Sequence, residues 1–145
     1  MALLVKRDHD KVNIQAAITT TGAVSSTNTD AVRLPGMVNA IVFVCDVSAA
    51  ATDAGDTLDI KVQTKIDGTN WVDVIHFTQI LGNGGAKRFI AKLLANTAET
   101  LFADAVLAAG TTVRHLLGDE WRINYVQVDA DANSSFTWKV TACPM

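Results

Sequence analysis

The chain reads as all-β, an antiparallel β-sandwich or jelly roll of about eight strands. Three observations predict it. Leu58, Ile60, Val62, Thr64 and Ile66 alternate strictly with Asp59, Lys61, Gln63, Lys65 and Asp67, and period two is the period of a strand. Clusters of Gly, Asn, Asp and Ser punctuate the sequence roughly every ten residues, the spacing of short strands joined by turns. Alternating strand and helix patterns, the mark of a parallel sheet, do not occur.

In chain order, residues 1–10 form an N-terminal arm. Its Asp8-His9-Asp10 stretch is polar and shows no period. Residues 11–19 make a first strand, and the Thr-, Ser- and Gly-rich residues 20–28 a loop. A short strand at 31–34 stops at Pro35-Gly36. Residues 38–47 are almost continuously apolar and rich in β-branched side chains, which predicts a strand covered on both faces. A loop of Ala, Asp and Gly covers 48–56. The alternating strand 58–67 then turns at Asp67-Gly68, where Gly accepts positive φ without steric cost, and returns along 71–80.

Gly82-Asn83-Gly84-Gly85 is the next turn, followed by a strand at 87–94. Residues 97–109 are the exception. Leu101, Ala105 and Ala108, with Phe102, Val106 and Ala109, repeat at helical spacing; Thr97 and Gly110 suit the two caps. A short helix is expected here, with an ordered loop as the alternative. A short strand at 113–117, one at 120–129 and a last one around 136–142 complete the domain.

Composition narrows the function. The 145 residues make one domain, which can bury roughly two-thirds of its unfolded surface and needs no metal or disulfide to fold. Charged residues are only 19% and apolar ones 49%, much of it alanine; such a surface suits contact with other protein. A net charge of −3 argues against nucleic acid as a partner. No apolar run approaches the ~20 residues that span a bilayer, and the start does not follow the order of a secretory signal. Synthesis as a soluble cytoplasmic product is therefore expected. Cys45 and Cys143 match no zinc or redox spacing and read as buried thiols, with a disulfide between distant strands left open.

No catalytic motif stands out, and no enzyme activity and no cofactor are expected. His9, His76 and His115 lie outside metal-ligand spacing of one another and of the cysteines. Ser25, Ser26, Ser48, Ser134 and Ser135 lack a nucleophile context. Asp129, Asp131 and Asn133 imitate the start of a calcium loop, but Ser134 and Val140 occupy the positions that need Gly and Glu, so a hairpin turn is the better reading. The glycines at 82–85 precede a strand, where a phosphate loop needs a helix. Asp53, Asp56, Asp59, Asp67 and Asp73 read as turn residues and a solvated strand face. Trp71, Trp121 and Trp138 could form a sugar-binding row if exposed, or pack in a core or interface.

Two stretches carry a family likeness. Residues 57–71, ending in Asp67-Gly68-Thr69-Asn70-Trp71, resemble a strand–Asp-Gly-Thr-x-Trp–strand hairpin of small virion proteins of tailed bacteriophages. Residues 112–123, with Gly118 and Trp121, and 135–142, with Phe136 and Trp138, are similar to the closing half of the same proteins. The resemblance implies a head decoration (cement) protein on the virion surface, binding the major capsid protein and assembling as a trimer or dimer. On that reading the contact residues are Leu3, Leu4 and Val5 of the arm, which could add to a neighbour's sheet edge, with Ala49, Ala50, Ala51, Thr52 and Asp53 of the 48–56 loop. A carbohydrate-binding module and a tail or head–tail joining protein are the alternatives.

Overall fold

Two antiparallel sheets face each other across one apolar core. The computed structural model describes residues 11–34, 38–50, 52–97, 104–110 and 113–145. The strands are β1 (Val12–Thr21), β2 (Val24–Asn28), β3 (Val32–Arg33), β4 (Ala40–Ala50), β5 (Thr57–Lys65), β6 (Trp71–His76), β7 (Ile80–Leu81), β8 (Lys87–Leu94), β9 (Glu120–Val128) and β10 (Ser135–Pro144). One sheet runs β1-β10-β4-β8 and the other β2-β9-β5-β6, with β3 paired to β9 and β7 to β5. The eight longer strands thus follow the order of a jelly roll, in which the chain passes repeatedly from one sheet to the other.

The alternation in β5 does what period two dictates. Leu58, Ile60, Val62 and Thr64 are sealed in the core, while Asp59, Lys61, Gln63 and Lys65 face outward. Opposite β5, Trp121 and Ile123 of β9 turn inward with Thr64 and Val62. Phe43 of β4 reaches across the sandwich to Trp121, ring centroids 5.1 Å apart. Tyr125 and Trp138 meet edge to face at 5.2 Å. Where β1, β9 and β10 converge, the core takes in polar groups that satisfy one another. Thr20 Oγ1 donates to Gln127 Oε1 and accepts from Trp138 Nε1, while Gln127 Nε2 donates to Ser134 Oγ.

Several expectations need correction. Residues 24–28, read as loop, are β2, because the Ser/Thr run bonds along β9 and Asn124 Nδ2 donates to both Ser26 Oγ and Asn28 Oδ1. The return strand ends at His76, and β7 resumes separately beside the start of β5. Residues 113–117 contribute only a bridge from Val113 to Ile75. The helix expected within 97–109 is absent from its described part, 104–109. There the backbone bonds β6 instead: Leu107 N–H donates to Asp73 Oδ2 and Leu107 carbonyl accepts from His76 Nδ1. Residues 98–103 and the 1–10 arm lie outside the described residues.

The outward face of β5 is not a solvated charge display. Gln63 Nε2 donates to Asp73 Oδ1, Arg122 Nε donates to Gln63 Oε1, and Lys61 reaches Asp73 at 3.8 Å. Asp73 is only 7% exposed. The described residues 104–110 and 113–114 strap this face and the edge of β6, with Gly110 N–H on the His76 carbonyl and Arg114 N–H on the Val74 carbonyl. Cys45 points into the core, where burial pushes its thiol up to about 12. Cys143 lies on the outer face of the same sheet, and both thiols are free.

Candidate functional site

The residues assigned to contact in the 48–56 loop do not form one exposed patch. Ala49 is exposed, but Ala50 is 2% exposed and packs in the core. Thr52 N–H donates to the Gly82 carbonyl and Gly82 N–H to the Asp56 carbonyl, so this loop is stitched to the turn after β7. Asp53 is half-buried, and its Oδ1 accepts from the Gly55 N–H. Ala51, Leu3, Leu4 and Val5 lie outside the described residues.

The histidines and serines form no catalytic array among the described residues. His76 is the best-placed titratable side chain. Its Nδ1 lies 2.7 Å from the Leu107 carbonyl and its Nε2 3.1 Å from Asp59 Oδ1. Both partners are acceptors, so the ring donates to both when it is protonated, and no hydroxyl or thiol among the described residues bonds to it. The Asp59 hydrogen bond raises its pKa, against the cost of burial. This geometry ties the strap to the sheet.

A more open feature lies at the other edge of the sandwich. β8 bonds to β4 from Lys87 opposite Val47 to Leu94 opposite Ala40, and no described strand takes its second edge. Sheet edges normally carry charge to deter pairing, and Lys87, Arg88 and Lys92 do so here. Ile90 breaks the rule, 67% exposed at the middle of the strand. A groove of about 470 Å³ runs beside it, with Ile75, Phe77 and Val113 on the far wall and Phe89, Ile90 and Ala91 on the near one. It occupies the seam where the two sheets end.

Ile90 also joins this groove to the outer face of the β1-β10-β4-β8 sheet. There it lies beside Val44, which pairs with Thr141 on its other side. Val44, Ile90, Thr141 and Cys143 line a shallow depression rimmed by Lys11, Lys139 and the Arg88–Asp46 ion pair at 3.2 Å. The apolar run 38–47 predicted a strand covered on both faces. β4 is covered on its inner face only, where Phe43, Cys45 and Val47 are fully buried; Val42 and Val44 outside are half-exposed.

Sequence reading missed this site because each residue in it is unremarkable alone. The signal was available in two parts. An apolar run with more grease than one core face needs was one, and a lone Ile among the basic residues of 87–92 was the other. The tryptophans do not make an aromatic row. Trp121 and Trp138 are buried, and Trp71 lies under the Arg122 guanidinium at 4.3 Å with Lys65 Nζ at 5.0 Å. Comparisons with protein-family models, with curated proteins and with solved structures found no match.

Proposed function

We propose that the protein is a structural, non-enzymatic component of a tailed-bacteriophage head, a decoration or cement protein that binds the capsid shell by protein–protein contact. The observation that carries the reading is the β8 seam: an unpaired strand edge, an adjoining apolar groove and an exposed Ile90 at their junction. An extended segment can add to such an edge, its backbone completing the sheet and alternate side chains entering the groove. The link to a phage head comes from the likeness of the Asp67–Trp71 hairpin and of the Gly118–Trp121 and Phe136–Trp138 stretches to small virion proteins. The jelly roll itself serves viral and sugar-binding proteins alike and does not choose between them. A sugar-binding reading needs exposed aromatic faces, and the buried Trp121 and Trp138 favour protein contact over it.

The test is co-sedimentation of the purified chain with empty capsids of the phage that encodes it. Wild type co-sediments at saturable stoichiometry, and Ile90→Lys, which leaves the core untouched, binds at least about tenfold more weakly, the loss of a ~1.4 kcal/mol contact. No binding to intact shells contradicts the proposal. Assembly of the free chain into closed rings instead assigns it to the tail or the head–tail joint.

A further inference from the structure

We infer that Asp53, Asp56 and Asp131 form a calcium site at the end of the sandwich that holds the 48–56 loop. One carboxylate oxygen of each lies within 4.8 Å of the other two. That limit is the span of two Ca–O bonds of about 2.4 Å. The carboxylates come from two segments, the loop between β4 and β5 and the turn between β9 and β10. These are held together by the Ala130 N–H donating to Asp56 Oδ1 at 2.9 Å. None of the ion pairs among the described residues involves any of the three.

An acidic cluster alone is common on protein surfaces. Asp56 is what sets this one apart. It is 0% exposed, and its Oδ2 is sealed from solvent without a hydrogen bond. Thr52 Oγ1 is likewise sealed and has no hydrogen-bond partner. A buried carboxylate oxygen without a hydrogen-bond donor is costly unless a cation meets it. The wall behind is rigid: a Cβ at Gly82 would strike the Asp53 carbonyl and approach Thr52 Oγ1 at 2.5 Å and Asp56 Cβ at 2.9 Å. The outer side is crowded with like charge. Asp131 is exposed, and Asp129 lies in the same turn. Carboxylate, hydroxyl and carbonyl oxygens are hard donors of the kind Ca²⁺ selects, and its flexible coordination sphere tolerates an irregular cage completed by water.

The experiment uses the full chain, stripped with EDTA, in calorimetric titration and thermal melting with CaCl₂, MgCl₂ and NaCl at matched ionic strength. Wild type takes up one Ca²⁺ per chain, and saturating Ca²⁺ raises Tm by about 5 °C or more. Asp131→Asn and Asp53→Asn, chosen because neither side chain is fully buried, lower Ca²⁺ affinity at least about tenfold. Their Tm in EDTA equals or exceeds wild type, since like charge has been removed. Absence of Ca²⁺ uptake overturns the inference. So does an equal rise with Mg²⁺ or NaCl, or unchanged uptake in both variants.

Discussion

His76 stands between two acceptors, the Leu107 carbonyl and Asp59, and this makes it a reporter of the strap. Its native pKa is raised above the ordinary 6.5, first by the Asp59 hydrogen bond. It therefore adds stability below about pH 6.5, where the unfolded ring is also protonated, and that contribution is lost as pH rises through the raised native value. Asp59 is shifted down, first by the same bond. Its contribution is present above its ordinary 3.8 and is lost as pH falls through the lowered native value. The pair thus stabilises most between about pH 4 and pH 6.5. The urea midpoint of wild type is predicted to decline from about pH 6 to about pH 8, and that of Asp59→Asn to decline less. Equal slopes would show that the two side chains are not coupled. Spacing along the chain left His76 without a partner among the other histidines and the cysteines. Its partners lie 17 and 31 residues away on other segments, out of reach of any local pattern.

At the scale of the element, sequence was most legible where one face meets the core and the other does not. β5 and β8 lie within two residues of their expected bounds, β5 because period two and the Asp67-Gly68 turn mark it and β8 because the Gly82–Gly85 turn marks its start. Residues 24–28 were misread because Ser and Thr favour loops locally, while pairing to β9 depends on a strand about a hundred residues on. The helical spacing at 105–109 was a coincidence of alanines, overridden by backbone bonds to β6. Tight junctions between elements were invisible as well. Gly118 precedes β9, and a Cβ there would lie inside contact of the Lys65 carbonyl oxygen and Thr64 Oγ1, and 2.9 Å from the Lys65 carbonyl carbon. The Thr64 hydroxyl donates to the Glu120 carbonyl at 2.9 Å across the same joint. Gly118→Ala is predicted to destabilise by about 1–3 kcal/mol in urea unfolding, the usual cost of overpacking. A change below about 0.5 kcal/mol would mean that the joint yields freely.

For the whole molecule, fold class was readable because burying one face of every strand leaves its period in the chain. Function was not, because the features that bear on it arise only when distant segments meet. The seam joins β8 to residues 75–78, Gly110 and Val113, and the carboxylate cluster joins the 53–56 loop to Asp131. The apolar run of β4 announced two covered faces, and among the described residues only the inner one is covered; the proposed capsid contact is what would cover the other. The most direct measurement is amide hydrogen exchange on the free chain and on the chain bound to capsid shells. The account predicts slowed exchange concentrated in Lys87–Leu94 on binding, with the buried β5 and β9 amides unchanged. Protection elsewhere on the surface, with the β8 amides exchanging as fast as in the free chain, would contradict it.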